Sequence, residues 1–289
     1  MKQTITTVAI ALIMTVCNGQ SVNTKDLKIK KSNTQLTNKE KATALLRSLE
    51  SGDKSTIAYI NPTRYTQHNL AVADGLKGFG EVLQHAPEEG FKVNIVRSFQ
   101  DGEYVVTHTQ YDFFGPKIGF DIFKFEDGKI VEHWDNFSDI ASKKPSGHTQ
   151  TDGVANVSDL DKTEANKAII NNFVETVLIN GEFNKLPNYF DGDNYIQHNT
   201  MIGDGLSGFG KAIEEMAKQG ITMVFEKNHL ILGEGNFVLS VTEGTFAGKP
   251  TSYYDLFRIE NGKIAEHWDT IETILPKSER KNDNGKFNF

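Results

Sequence analysis

Residues Gly128–Asp135 read GKIVEHWD, and residues Gly262–Asp269 read GKIAEHWD, so this chain contains almost the same eight residues twice. Each copy ends a longer matching block. The block FDIFKFEDGKIVEHWD at 120–135 and the block YDLFRIENGKIAEHWD at 254–269 are identical at 10 of 16 positions. Identity over so long a stretch indicates that one part of the chain is a duplicate of another.

A second pair of matching blocks lies nearer the start of each copy. YTQHNLAVADGLKGFG at 65–80 and YIQHNTMIGDGLSGFG at 195–210 are again identical at 10 of 16 positions. The two pairs predict a tandem duplication of one domain, giving repeat 1 (37–140) and repeat 2 (163–276). The segment between them, 141–162, is rich in Ser, Lys, Thr, Asp and Gly and is expected to be a linker.

Both repeats show the same predicted order of secondary structure. Thr37-Asn-Lys-Glu40 is a capping-box pattern that begins a helix, and a second helix is expected after the Asp-Gly-Leu loop. The rest of each repeat alternates or is rich in β-branched and aromatic residues, which favours strands. Asp127-Gly128 and Asn261-Gly262 predict tight turns between the last two strands. Helices followed by a run of antiparallel strands predict an α+β fold for each repeat.

Length and charge narrow the class of protein. The chain has 289 residues, enough for about two domains. It carries 31 basic and 38 acidic side chains, a formal net charge of −7, and no long basic run, which argues against a nucleic-acid partner. The single cysteine, Cys17, excludes an internal disulfide framework and a cysteine-based zinc site.

The N-terminal segment 1–19 is typical of an export signal, because one early Lys precedes an apolar run too short to span a bilayer. Two processing routes stay open. Cleavage could follow Gly19, or Cys17 could be lipid-modified as in a bacterial lipoprotein, with 20–36 as a polar tether to the membrane. We expect an exported protein of the periplasm or cell envelope in either case. The polar tail 277–289 is expected to fray.

Three motifs occur in both repeats: Tyr-x-Gln-His-Asn, Asp-Gly-x-x-Gly-Phe, and Asp-x-Phe-(x)4-Gly-Lys-Ile-x-Glu-His-Trp-Asp. Together they resemble the SnoaL-like family of the ketosteroid-isomerase-like, or nuclear transport factor 2-like (NTF2-like), superfamily. The resemblance covers most of both repeats. It implies a curved antiparallel sheet wrapped round N-terminal helices, which forms a cone with an apolar pocket. The expected architecture is therefore two tandem cone-shaped α+β domains.

The resemblance also implies a catalytic pair. Cyclases similar to this family pair an Asp with a His on the preceding strand, and the matching positions are Asp121 and His108. Asp121 would remove a proton next to a carbonyl group, and His108 would donate to the resulting enolate oxygen. Repeat 2 keeps the acid, Asp255, but has Val241 in place of His108. Repeat 2 is therefore expected to be the impaired copy.

Strand periodicity predicts further polar groups near Asp121. Side chains alternate between the faces of a strand, so Asp121 shares a face with Phe123 and Phe125, and His133 shares one with Asp135. A carboxyl group in such apolar surroundings holds its proton more tightly than in water. The side chains expected to bind substrate in the two repeats are His68, His133, Asp135, His198, Asp255, His267 and Asp269.

Structural roles stay open for the same motifs. His133 and His267 could satisfy buried backbone groups and lock the strand ends, and His68 could cap the loop that follows it. His68, His108, His133 and Asp135 contain the ligand types of a metal site. None of them lies at the short His-x-x-x-His spacing, so no metal is expected. No cofactor is expected either.

Three functions remain in view. The first is cofactor-free acid–base catalysis in repeat 1, an aldol-type cyclisation or isomerisation of a small apolar carbonyl compound. The second is an exported binding protein that captures a small apolar ligand without converting it. The third is an interaction scaffold, in which the repeats pack as an internal pseudo-dimer or the chain forms a homodimer. The sequence does not decide whether the protein is an enzyme.

Overall fold

The computed structural model describes residues 35–87, 90–142 and 144–289. The predicted export signal and nearly all of the predicted tether lie outside the described residues. Within the described ranges, no helix combines the length and the apolar character needed to cross a bilayer. Residues Leu36–Phe289 form one compact unit that contains both repeats.

Repeat 1 begins with the capped helix that its sequence predicts. The Thr37 side chain accepts a hydrogen bond from the Glu40 backbone N–H, and the Glu40 carboxylate accepts one from the Thr37 backbone N–H. Gly52 ends this helix in a left-handed conformation, with φ at 71°. The elements of repeat 1 are α1 (Asn38–Ser51), β1 (Thr66–Gln67), α2 (Gly75–Gln84), β2 (Lys92–Asp101), β3 (Tyr104–Asp112), β4 (Pro116–Glu126) and β5 (Lys129–Asp139).

Repeat 2 has the same order of elements. Its first helix continues as a π-helical turn over Val174–Ile179. The elements are α3 (Thr163–Phe173), β6 (Ile196–Gln197), α4 (Gly205–Lys218), β7 (Met223–Glu234), β8 (Phe237–Phe246), β9 (Lys249–Glu260) and β10 (Lys263–Thr273).

Each repeat folds its strands into one five-stranded sheet with its helices on one face. The strand orders, β1-β5-β4-β3-β2 and β6-β10-β9-β8-β7, are equivalent. The long strands are antiparallel, and the short first strand runs parallel to the last. Leu45 and Leu46 of α1 pack into the core of repeat 1, and Ile170 and Phe173 of α3 pack into that of repeat 2. The predicted α+β class, with helices packed on a largely antiparallel sheet in each of two tandem repeats, is confirmed.

The strand register separates Asp121 from His108. Residues directly opposite each other on antiparallel strands point to the same face of the sheet. Thr107 lies opposite Asp121, and Asp121 lies opposite Asp135. His108, one residue further along β3, lies opposite Phe120. His108 therefore points to the face away from the helices.

The faces that point away from the helices pack against each other. Polar contacts support this packing: Asn136 Nδ2 donates to the backbone oxygens of Ser252 and Thr270 at 3.2 and 3.0 Å. Ile271 N donates to Ser138 Oγ at 2.8 Å. The buried members of this inter-repeat cluster are Phe99, Val106, Phe120, Ile122, Trp134, Leu232, Phe237, Leu239, Val241, Tyr254, Leu256 and Trp268.

The C-terminal tail, 277–289, packs on repeat 1, so the expectation that it frays is wrong. Asn282 Nδ2 donates to the backbone oxygens of Asn69 and Val72 at 2.7 and 2.9 Å. These two oxygens belong to the loop that follows the Gln-His-Asn motif. The polar character of the tail therefore serves hydrogen bonding to another part of the chain.

The linker and the tail make equivalent contacts with opposite repeats. His198 Nδ1 of repeat 2 donates to the Thr149 backbone oxygen of the linker at 2.7 Å. His68 Nδ1 of repeat 1 donates to the Gly285 backbone oxygen of the tail at 2.8 Å. The segment that follows each repeat thus covers the Gln-His-Asn motif of the other repeat.

Candidate active site

Repeat 2 holds three hydrogen-bonded side chains on the helix-facing side of its sheet. Asp255 on β9 lies opposite Asp269 on β10, and His267 shares the face of Asp269 because it lies two residues before it. His267 Nε2 is 3.0 Å from Asp255 Oδ1, and His267 Nδ1 is 2.9 Å from Oε1 of Gln197 on β6. The Asn199 amide donates to Asp269 Oδ2. We call Asp255, His267 and Asp269 the repeat 2 triad.

The hydrogen bonds of Gln197 fix where the triad holds its protons. Gln197 Oε1 accepts from the backbone N–H groups of His198 and Asn199, both at 2.9 Å. This oxygen can only accept, so His267 Nδ1 carries a hydrogen and donates to it as well. One further proton must then lie between His267 Nε2 and Asp255 Oδ1. The pair is either an imidazolium with a carboxylate or a neutral imidazole with a carboxylic acid.

The electrostatics of the triad favour the charged pair. Burial lowers the pKa of His267, but the hydrogen bond to Asp255 and the charges of Asp269 and Asp255 outweigh burial, and the pKa is raised. Burial also raises the pKa of Asp269 to about 6, although the charge of His267 opposes this shift. A carboxyl group that titrates this close to neutral pH is suited to act as a general base.

Repeat 1 has the same arrangement in Asp121, His133 and Asp135, but it differs in a contact of Asp135 Oδ1 with Lys286 Nζ at 3.8 Å and in the surroundings of Asp121. His133 Nε2 is 3.1 Å from Asp121 Oδ1, and burial raises the pKa of Asp135 to about 6. The second oxygen of Asp121 already has a donor, because Tyr111 Oη lies 2.6 Å from Asp121 Oδ2. The equivalent atom of repeat 2, Asp255 Oδ2, is buried and has no hydrogen-bond partner among the described residues.

One position on the neighbouring strand explains this difference. Tyr111 lies opposite Lys117 in repeat 1, and Gly244 lies opposite Thr251 at the same place in repeat 2. The Tyr111 ring lines a cavity of about 110 Å³ beside the repeat 1 triad, whereas the cavity beside the repeat 2 triad measures about 380 Å³. Only the second volume falls in the usual range of small-molecule sites, roughly 300–1,000 Å³.

The repeat 2 cavity is apolar except near the triad. Gln197 Nε2 donates to Tyr195 Oη at 2.9 Å, so the Tyr195 phenol keeps its own hydrogen for a ligand. The side chains of Phe183, Ile213 and Val224 line the cavity and are 48, 37 and 42% exposed, so its mouth is apolar. The other apolar lining residues include Phe173, Leu178, Leu186, Phe190, Ile202, Leu206, Phe209, Met216, Met223, Phe225 and Phe257.

His108 lies outside both cavities, so the expected pairing of His108 with Asp121 is wrong. The residue is 1% exposed, and its ring stacks on Phe120 with the centroids 4.4 Å apart. Arg97 Nη1 donates to His108 Nδ1 at 3.1 Å. Burial and the charge of Arg97 hold the pKa of His108 well below its ordinary value. His108 is thus a neutral part of the inter-repeat packing, and Val241 does not deprive repeat 2 of a site residue.

The structure also places His68 and His198 outside the cavities, which contradicts their predicted contact with substrate. His68 Nε2 pairs with Glu132 Oε2 at 3.0 Å, and His198 Nε2 pairs with Glu266 Oε1 at 3.0 Å. Each ring stacks on the tryptophan of its repeat's Glu-His-Trp-Asp motif. These contacts favour a structural role. The remaining candidates do line the cavities, and they are Asp121, His133, Asp135, Asp255, His267 and Asp269.

Each triad also has the donor set of a metal site. The ligand atoms of Asp255, His267 and Asp269 all lie within 4.8 Å of one another, and the equivalent atoms of repeat 1 do so as well. One imidazole with two carboxylates can bind a divalent transition metal. The metal set weighed from the sequence is not assembled, because His68 and His108 point elsewhere.

Sequence reasoning missed three positions that shape the site: Tyr195, Tyr111 and Gly244. Tyr195 begins the Tyr-x-Gln-His-Asn motif and matches Tyr65 in repeat 1, so its repetition was a usable signal. Tyr111 and Gly244 lie outside the matching blocks. Their equivalence is visible only once the strand register has aligned the two repeats.

No family model and no curated protein matches the chain. Several solved structures are similar to about a third of it. IdmH, a candidate polyketide cyclase of Streptomyces antibioticus, is 18% identical with a TM-score of 0.31, and the match covers 36% of this chain and 93% of IdmH. An LEH-like epoxide hydrolase of M. tuberculosis is 22% identical with a TM-score of 0.31, covering 35% of this chain and 82% of the hydrolase. An NTF2-like protein of unknown function from Cytophaga hutchinsonii is 15% identical with a TM-score of 0.33, covering 37% and 94%.

Proposed function

We propose that repeat 2 is the active site of an enzyme that moves a proton on a small, mostly apolar carbonyl compound without a cofactor. The observation that carries the proposal is the apolar cavity of about 380 Å³ with Asp269 on its wall. The sequence favoured repeat 1 as the site only because of His108, and His108 does not line the repeat 1 cavity. The repeat 1 cavity is also too small, at about 110 Å³, for a typical small-molecule site.

Each polar group of the cavity has one role in this proposal. Asp269 takes the proton from the carbon next to the carbonyl group, and Tyr195 Oη donates its free hydrogen to the developing enolate oxygen. His267, held by Asp255, places a positive charge beside this negative charge. Return of the proton from Asp269 to another carbon gives an isomerisation. Attack of the enolate carbon on a second carbonyl gives a ring, and Asp269 then protonates the new alkoxide.

Proton exchange tests the proposal without an identified substrate. Small apolar ketones such as cyclohexanone and 1-indanone exchange the hydrogens next to the carbonyl for deuterium in D2O, and NMR follows the exchange. The protein is expected to accelerate it, and Asp269→Asn should lower the acceleration by about 10²–10⁴-fold. Asp135→Asn, the matched change in repeat 1, should leave it unaltered. An acceleration that survives Asp269→Asn, or that depends on Asp135, contradicts the proposal.

Binding without conversion is the second candidate function, and the apolar mouth of the repeat 2 cavity favours it equally. Native mass spectrometry of protein purified from its own host distinguishes the two. A co-purified ligand that stays chemically intact on incubation supports binding, and a converted ligand supports catalysis.

We also propose that the protein acts outside the cytoplasm, on the strength of the N-terminal sequence alone. The intact mass of the mature chain decides between the two processing routes. Cleavage after Gly19 gives an unmodified chain, whereas lipid attachment leaves Cys17 as a modified first residue. A mature chain that still begins at Met1 contradicts export by either route.

A further inference from the structure

A cleft of about 870 Å³ lies between the two repeats. Its apolar walls come from both, with Phe113 and Phe137 on one side and Met201 and Phe246 on the other. We call this space the inter-repeat cleft. Asp269 lines the inter-repeat cleft and also lines the repeat 2 cavity. Among the described residues, the proposed base is therefore the one lining residue that the inter-repeat cleft shares with the repeat 2 cavity.

The inter-repeat cleft offers hydrogen bonds without a strong charge of either sign. Lys117 pairs with Asp139 at 2.7 Å, and Glu272 pairs with Lys286, so these groups largely cancel. The other ionisable lining groups are Glu81, His85, Lys281 and Asp269. The uncharged hydrogen-bonding side chains of the lining are Asn69, Ser138, Gln150, Asn199, Thr200 and Thr273.

The two spaces select different parts of one molecule. The repeat 2 cavity favours ligands with apolar surface, because each Å² of that surface removed from water contributes about 25 cal/mol to the binding free energy. A polar group in that cavity would lose its hydrogen bonds to water and find few replacements. In the inter-repeat cleft, the hydroxyl groups of Thr200 and Thr273, which have no hydrogen-bond partner among the described residues, can replace those bonds. The other uncharged polar side chains of the lining already make hydrogen bonds within the protein. An ionised group would gain little from a complementary field there, since the remaining charges of the lining are of both signs, with Lys281 opposed by Glu81 and Asp269.

We propose that the inter-repeat cleft is a second compartment of the ligand site and that the ligand is an uncharged amphiphile. Its apolar body fills the repeat 2 cavity, and its hydroxyl- or carbonyl-bearing end passes Asp269 into the inter-repeat cleft. This inference rests on the proposed function in one respect, the use of the repeat 2 cavity, and adds the class of ligand that the site takes.

Three probes with one apolar body test the proposal by isothermal titration calorimetry. Naphthalene has no polar end, the glyceryl ether of 1-naphthol has an uncharged diol, and 1-naphthyloxyacetate has an anion. The glyceryl ether is expected to bind about tenfold more tightly than naphthalene, since one or two net hydrogen bonds account for such a factor. The acetate is expected to bind no more tightly than naphthalene.

Tryptophan substitutions test whether the polar end of the bound glyceryl ether lies in the inter-repeat cleft. Thr200 and Thr273 line the inter-repeat cleft but not the repeat 2 cavity. Thr200→Trp, and independently Thr273→Trp, should bring the affinity for the glyceryl ether down to that for naphthalene. Naphthalene itself should bind these variants as it binds the unaltered protein. Ile213→Trp, at the mouth of the repeat 2 cavity, should weaken the binding of all three probes.

The outcomes separate this inference from the function on which it rests. Equal affinities for the three probes, insensitive to both cleft substitutions, overturn the second compartment but keep the repeat 2 cavity as a binding site. Tighter binding of the acetate than of the glyceryl ether overturns the ligand class. A protein that binds no probe and accelerates no proton exchange overturns both proposals.

Discussion

Tyr111 and Gly244 occupy the same place in the two sheets, and this difference leaves more space beside the repeat 2 triad than beside the repeat 1 triad. Tyr111 fills the space beside Asp121 and donates to its carboxylate. A Cβ atom at Gly244 would lie 1.9 Å from the Val224 backbone oxygen. The neighbouring strand thus keeps this position of repeat 2 free of a side chain, and the cavity stays open.

Tyr111→Ala is expected to open a ligand cavity in repeat 1 and to leave the second oxygen of Asp121 with the donor Thr107 Oγ1, at 3.2 Å, but without the phenol. Loss of a buried ring should lower the free energy of unfolding by about 3–5 kcal/mol, and calorimetry with naphthalene should find two binding sites instead of one. Tyr111→Phe keeps the ring and loses only the hydroxyl, so it should lower stability by about 1–3 kcal/mol and leave one site. A folded Tyr111→Ala protein that still binds one naphthalene would contradict this account.

The proton-exchange rate is expected to fall as the pH drops through about 6, because Asp269, with a pKa of about 6, can accept a proton only when it is ionised. The folded-state pKa lies above the ordinary value of 3.8. The stability contribution of this group is therefore fully present at low pH and is lost as the pH rises through 6. Protonation of Asp269 thus does not itself destabilise the fold. Exchange rates measured between about pH 4.5 and 8 check the predicted fall in the proton-exchange rate. A rate that is flat through pH 6 would exclude Asp269 as the base.

Among the elements, the C-terminal tail shows how a short polar segment contributes to stability. Asn282 is 8% exposed and its amide satisfies two backbone oxygens of repeat 1. Asn282→Ala leaves both oxygens without this donor and should lower the free energy of unfolding by about 1–3 kcal/mol. Asp283→Ala, at an exposed position of the same tail, should change it by less than about 0.5 kcal/mol. Urea unfolding measures both, and equal effects would mean that the tail does not dock.

The elements that the sequence predicts correctly are those set by local chemistry. The capping box at Thr37 and the repeated strand pattern depend on neighbouring residues, and strand parity places His133 and Asp135 near Asp121. The face of His108 depends on the turn between β3 and β4, which pairs Asp112 with Pro116. A shift of one residue in that turn would reverse the face of every later side chain. Nothing in the composition of the turn fixes this length, so the pairing of His108 could not be settled in advance.

In the molecule as a whole, each repeat completes the packing of the other. Arg97 of repeat 1 lies 4.0 Å over the Trp268 ring of repeat 2, and Arg97 Nη2 donates to the Asp152 backbone oxygen of the linker at 2.6 Å. The C-terminal tail, which follows repeat 2, contacts repeat 1 in the same way: Phe289 stacks on Trp134 with the ring centroids 4.8 Å apart. Separation of the sheets would expose an apolar face on each.

The two repeats are therefore expected to unfold in one cooperative transition. The chain has two tryptophans, so Trp268→Phe leaves Trp134 as the reporter of repeat 1, and Trp134→Phe leaves Trp268 as the reporter of repeat 2. In urea, the unfolding transition that each variant shows by fluorescence should coincide with the transition that the same variant shows by circular dichroism. Leu239→Ala, a fully buried change in the inter-repeat cluster, should lower the stability seen by both reporters by about 2–5 kcal/mol. If only Trp268 responds to Leu239→Ala while Trp134 keeps its midpoint, the repeats are independent units and the shared face contributes little to either.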